Sequence, residues 1–223
     1  MERIISFESK ALLEVELASK IADILQIAIT EKGTATILLS GGSTPKNLYQ
    51  KLGEIDLDWS KVHVGLVDER FVPQDSPFSN ETLIRENLMQ NKATAAKMHP
   101  MVIHSTDYVE NLKLATEENS VFENPDVIVL GMGDDGHTAS LFPNDPCSED
   151  ATHSNTLLAN TNAPNAPTQR ITFCGPILKK GIHNFLMITG ARKLEVLSES
   201  IERNYPIHPF IPFLEGIYYT ENS

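Results

Sequence analysis

The residues best equipped for chemistry stand in four short stretches, each beside an apolar run. Gly131-Met132-Gly133-Asp134-Asp135-Gly136-His137 places an imidazole in a glycine-flanked turn. Imidazole titrates near neutral pH and suits a general base, and Asp135, two residues earlier, can orient one ring nitrogen. Val67-Asp68-Glu69-Arg70 carries three charges straight out of an apolar run, and such charges are costly to bury unless they pair or meet a ligand. Two readings follow. A carboxylate acts as acid or base with Arg70 as an anion or oxyanion partner, or the three form a salt-bridged strand end with Ser79 or Asn80 capping the next helix. Ser40-Gly41-Gly42-Ser43-Thr44-Pro45 can turn several N–H groups toward one point, with Thr44 as a cap and Pro45 at the first helical position. That makes either an anion-binding nest on a helix end or a tight, well-capped turn. Arg170, and Lys193 just after another apolar run, are phosphate partners or solvated surface charge.

These stretches matter only if the elements carrying them meet. Residues 35–39, 62–67, 127–130 and 185–188 are short apolar runs, as expected of strands buried on both faces. Helical spacing or composition covers 10–31, 45–52, 80–90, 107–119 and 191–202, the first with Ser9 as N-cap and Gly33 as stop. Alternating strands and helices imply right-handed crossovers on a parallel sheet. The expected fold is α/β, a single Rossmann-like, doubly wound domain over residues 1–223 with a mainly parallel sheet. Ligands of such sheets bind beyond the carboxyl ends of the strands, where the four stretches fall. Residues 143–169 break the rhythm, being rich in Pro, Asn, Thr and Ser, and are expected to form a functional loop. A domain boundary there would leave a C-terminal piece of about 55 residues, marginal on its own.

Other readings fall away. Gly131, Gly133 and Gly136 match G-x-G-x-x-G literally, but mid-chain and with two aspartates crowding the turn that a pyrophosphate would have to approach. No G-x-S-x-G elbow or reactive-cysteine signature is present, so an acyl-enzyme route has little support. Cys147 and Cys174 lack metal-ligand spacing, and His63, His99, His104, His153, His183 and His208 show no paired metal spacing and read as ordinary surface or core histidines. With 18 basic and 30 acidic residues the net charge is −12, which speaks against tracking a nucleic acid or an anionic membrane. An anionic ligand must therefore be held by a local cluster. The sequence lacks a membrane-length apolar run and signal-peptide zoning, so a cytoplasmic location is expected.

Taken in order, SGGSTP (40–45), VDERxVP (67–73) followed by SN (79–80), GxGDDGHTASLFP (131–143), RIT (170–172) and TGxxK (189–193) resemble the 6-phosphogluconolactonase family. That family shares a superfamily and a Rossmann-like fold with the glucosamine-6-phosphate isomerases/deaminases. The resemblance implies hydrolysis of 6-phospho-D-glucono-1,5-lactone to 6-phospho-D-gluconate, the second step of the oxidative pentose phosphate pathway, with no metal or organic cofactor. It implies that Gly41, Gly42, Ser43 and Thr44 bind the sugar 6-phosphate with Arg170 and Lys193 as basic partners. It makes His137 the catalytic histidine and Asp135 its neighbour. Asp68 falls where the deaminases carry a proton-transferring aspartate, and Arg70 belongs to the lactonase form of that motif. The deaminases continue to a glutamate five residues after the histidine, where this chain has Phe142, and isomerisation is correspondingly disfavoured. The rivals are a deaminase-like enzyme and a sugar-phosphate-binding regulator that lost catalysis, although a sensor would need no positioned base. The implied partner is a small sugar-phosphate lactone, with no nucleic acid and no membrane, and the sequence does not set an oligomeric state.

Overall fold

The computed structural model describes residues 3–104 and 106–222. After a short strand β1 (Ile4–Ser6), the first amphipathic stretch folds as helix α1 (Lys10–Lys32). Ser9 Oγ accepts from the Leu12 N–H, and Gly33 ends the helix in the left-handed conformation. The chain continues through β2 (Ala35–Leu39), α2 (Lys46–Gly53), β3 (Val62–Leu66), β4 (Asp68–Arg70), α3 (Asn80–Asn87), β5 (Lys97–Met98), α4 (Tyr108–Glu118) and β6 (Val127–Leu130). It then forms α5 (Pro146–His153), β7 (Leu158–Asn162), β8 (Gln169–Phe173), α6 (Gly175–Lys180), β9 (His183–Thr189), α7 (Ala191–Ser198) and β10 (Gly216–Thr220).

Seven strands form one sheet in the order β1-β10-β9-β6-β2-β3-β5, with every pair parallel. All residues of β2 and β6 are buried, which is why they read as apolar runs, interrupted only by Thr36 of β2. Each fully buried Leu, Ile or Val side chain contributes about 1.5–3 kcal/mol. From β2 the chain steps outward to β3 and β5, whereas from β6 it steps the other way to β9 and β10. The direction of winding thus reverses between neighbours β2 and β6, and a crevice opens beyond their carboxyl ends.

A second, antiparallel sheet, β4-β8-β7, stands beside that crevice. It pairs Asp68 with Thr172 and Arg70 with Arg170. This sheet corrects the expectation for residues 143–169, which are not an irregular loop but hold α5 and β7. Asp145 caps α5 by accepting from the Ser148 N–H at 3.0 Å, and Pro146 occupies its first turn. In β7, Leu-Ala-Asn-Thr-Asn pairs fully with β8 despite its polar composition. Thr44 does not cap α2: the N-cap is Pro45, with no side-chain bond. Helices α3 and α7 end at Asn87 and Ser198, short of the expected 90 and 202. Among the described residues no helix is long and apolar enough to cross a membrane.

Candidate active site

A cleft of about 200 Å³ lies at the crevice. Gly41, Gly42 and Thr44 reach it from the turn between β2 and α2, Asp68 and Arg70 from β4, and His137 from the loop after β6. Arg170 reaches it from β8 and Lys193 from the first turn of α7. Ser43 is exposed and Asp135 stands behind His137, and neither lines the cleft.

The loop after β6 is built around one close contact. His137 Nδ1 lies 2.6 Å from Asp135 Oδ1, which also accepts the His137 backbone N–H at 3.2 Å. A Cβ on Gly133 would fall 2.2 Å from Nδ1, so only glycine lets ring and carboxylate meet here. Burial works to raise the Asp135 carboxyl, but the hydrogen bond and charge of His137 outweigh it, and the net position is below the ordinary value. With Nδ1 engaged, Nε2 is the ring nitrogen left for a ligand or water. The Phe142 ring packs against the imidazole, centroids 4.7 Å apart.

The three charges of β4 divide between two faces, as alternate residues of a strand must. Asp68 and Arg70 line the cleft, and Glu69 is turned away from it. Asp68 Oδ2 accepts from Ser140 Oγ at 2.5 Å, tying the strand to the segment that follows His137. Glu69 Oε1 accepts from the N–H groups of Arg70 (2.7 Å) and Asn80 (2.8 Å), and Oε2 from Glu81 N–H (2.7 Å) and Ser79 Oγ (3.1 Å). It therefore caps the N-terminus of α3 from outside the helix. Burial pushes its carboxyl up to about 7 against those donors, with the Asp68 charge adding to the rise.

Arg70 Nη1 donates to the Phe78 carbonyl at 2.6 Å, while its buried Nε has no partner among the described residues. Arg170 Nε donates to Pro167 O at 3.0 Å, and its guanidinium lies over the Phe142 ring. Burial depresses the Arg170 guanidinium and the Asp68 charge opposes the shift. The two arginines are direct neighbours across the β4/β8 ladder, and both line the cleft with Lys193. Lys193 Nζ pairs with Asp134 Oδ1 at 2.8 Å.

Asn80, read from sequence only as a possible cap, also lines the cleft. Its Nδ2 donates to Asp68 O at 2.9 Å, and its buried Oδ1 lies where a Cβ on Gly41 would be, 1.9 Å away. The signal for it was its place in the SN pair after VDERxVP. The N-termini of α2 and α7 both open on the cleft, and helix N-termini favour anions. Three cationic side chains thus gather at one site in a chain of net charge −12. Such an arrangement can hold an anionic group, offer a base at His137 and stabilise a developing oxyanion. No group of three or more His, Cys, Asp or Glu side chains among the described residues is placed to hold a metal ion.

A family model described as glucosamine-6-phosphate isomerases/6-phosphogluconolactonase matches residues 8–212. A 6-phosphogluconolactonase of Neisseria meningitidis is 38% identical over 209 residues, covering 91% of this chain and 90% of that protein. One from Rhizobium meliloti is 38% identical, covering 87% of this chain and 85% of its own length. The crystal structure of a 6-phosphogluconolactonase from Shewanella baltica superposes with a TM-score of 0.91 at 37% identity, covering 99% of this chain and 97% of that one.

Proposed function

The chain belongs to the glucosamine-6-phosphate isomerase/6-phosphogluconolactonase family, and from that premise we propose that it hydrolyses 6-phospho-D-glucono-1,5-lactone to 6-phospho-D-gluconate in the oxidative pentose phosphate pathway, with His137 activating the attacking water. The observation that carries this reading is the His137–Asp135 pair facing a cleft furnished with two helix N-termini and three cations. The 6-phosphate sits at the 41–44 turn with Arg170 and Lys193 as its counter-charge, which fixes the lactone carbonyl relative to the base. His137 Nε2 takes a proton from water as the oxygen attacks C1. The tetrahedral oxyanion is stabilised by Arg70 and loop N–H groups; one such donor is worth about 2.7–4 kcal/mol. As the bond from C1 to the ring oxygen breaks, the imidazolium returns its proton to that oxygen, and the ionised Asp135 stabilises the charged ring in between. Asp68 offsets the positive charge of Arg170 and anchors Ser140.

Phe142 argues against the amino-sugar isomerase/deaminase reading, because an apolar ring rather than a carboxylate packs on the imidazole. We also assign the reaction to the cytoplasm, a reading supported by the unpaired thiols of Cys147 and Cys174. The test is turnover by the purified protein of freshly generated 6-phosphogluconolactone and, separately, of glucosamine 6-phosphate. Acceleration of the first well above its spontaneous hydrolysis, with no reaction of the second, is expected. The reverse pattern would overturn the proposal.

A further inference from the structure

Lys193 does not stand free in the cleft. Its Nζ is held by Asp134 Oδ1 at 2.8 Å, the lysine side chain being 24% exposed and the aspartate 76%. The loop after β6 therefore distributes two adjacent carboxylates to two tasks, Asp135 to the imidazole and Asp134 to the lysine. The mechanism uses the first and leaves the second unexplained. An ammonium has three donors on one compact charge, and a phosphate dianion arriving there meets a carboxylate already in contact with it. The two anions cannot share that contact without Coulomb repulsion, which at a rim with this exposure is modest but not negligible.

We propose that Asp134 is a resident counter-ion of the phosphate seat, a specificity-determining residue that holds Lys193 while the cleft is empty and that an arriving phosphoryl group must displace. Lys193 lines the cleft and Asp134 does not, so the carboxylate holds the ammonium from the rim. It also limits affinity for phosphate-bearing ligands, product included, so that bound 6-phosphogluconate leaves more readily. The inference rests on the reading of Lys193 as a phosphate ligand, and its test separates the two.

The test is calorimetric titration of 6-phosphogluconate and of inorganic phosphate into the full-length protein and its Asp134→Asn, Lys193→Ala and doubly substituted forms, with KM and kcat measured alongside. Asp134 is exposed, so its substitution leaves the core untouched. Asp134→Asn should tighten both ligands by about two- to five-fold, the range set by exposed ion pairs, and lower KM for the lactone in step. In the Lys193→Ala background that gain should vanish. Equal gains in both backgrounds would mean that Asp134 acts only as a remote charge, and the proposal would fail. No change, or weaker binding, would equally overturn it by showing that the carboxylate is irrelevant to the seat or helps to build it. If Lys193→Ala itself left both affinities unchanged, the phosphate-seat reading would fall first. If Lys193→Ala weakened binding while Asp134→Asn did nothing, the counter-ion assignment alone would be lost.

Discussion

Replacing Gly133 by alanine inserts one methyl group into the tightest contact of the site. Its Cβ would lie 2.2 Å from His137 Nδ1, 2.3 Å from Cε1 and 2.6 Å from Asp135 Oδ1, against a comfortable separation of about 3.5 Å for nonbonded heavy atoms. The backbone has little room to yield, because Gly133 N–H donates to His137 O at 2.8 Å and Gly133 O accepts from Gly136 N–H at 3.1 Å. Ring and carboxylate must therefore retreat by about 1 Å, beyond the roughly 3.2 Å limit of a good hydrogen bond between them. Misplacement of about 1 Å can cost about 10²-fold in rate, and the whole general-base contribution is about 10²–10⁴. Gly133→Ala should accordingly lower kcat by about 10²-fold or more while leaving the fold intact, because both displaced side chains can swing toward solvent. The assay is coupled turnover of fresh lactone, corrected for spontaneous hydrolysis, with circular dichroism and 6-phosphogluconate titration as checks. In a His137→Ala background the same methyl should add almost nothing. A folded Gly133→Ala protein with nearly full kcat, or a full additional loss in the double variant, would refute the argument.

Three further outcomes follow from the same geometry. Asp135→Asn removes the carboxylate that orients Nδ1 and stabilises the imidazolium, so kcat should fall while 6-phosphogluconate affinity stays within a few-fold of native; an unchanged kcat would show that Asp135 takes no part in the reaction. Arg170→Ala and Lys193→Ala should each weaken 6-phosphogluconate binding by about 1.5–3 kcal/mol, roughly 10- to 150-fold, with little penalty for unphosphorylated lactone; equal losses for both lactones would reverse the assigned substrate orientation. Glu69 has a folded-state pKa of about 7 against an ordinary 4.5, so the stability it contributes is full below pH 4.5 and lost as pH rises through about 7. Urea unfolding from pH 4.5 to 7.5 should show that decline in the native protein and a shallower one in Glu69→Gln; equal slopes would show that Glu69 does not carry it.

Apolar runs disclosed the central strands because parallel strands buried on both faces have no polar face to interrupt them, as in Ala-Thr-Ile-Leu-Leu of β2. The same criterion missed the second sheet. Asp68-Glu69-Arg70 is a strand made entirely of charged residues, stabilised by pairing with β8 and by the donors around Glu69, and nothing in its composition marks it as one. The Asp145-Pro146 start of α5 has the form of a cap followed by a first-turn proline, but it sits in a stretch whose Asn, Thr and Pro read as irregular chain. Within the site, residues with distinctive chemistry were legible: His137, the 41–44 turn, Asp68 and Arg70 all reach one cleft. What remained hidden was pairing across the fold. That Arg170 neighbours Arg70, that Asn80 lies over Gly41 and that Lys193 meets Asp134 depend on strand register and crossover direction, which no local pattern encodes.

The role of His137 as the base that activates water is tested most directly by kcat of the folded His137→Ala protein with 6-phosphogluconolactone. A drop of about 10²–10⁴-fold, with 6-phosphogluconate affinity kept within a few-fold of the native value, is the predicted result. A His137→Ala protein of native circular dichroism that turns the lactone over at nearly the native kcat would contradict it.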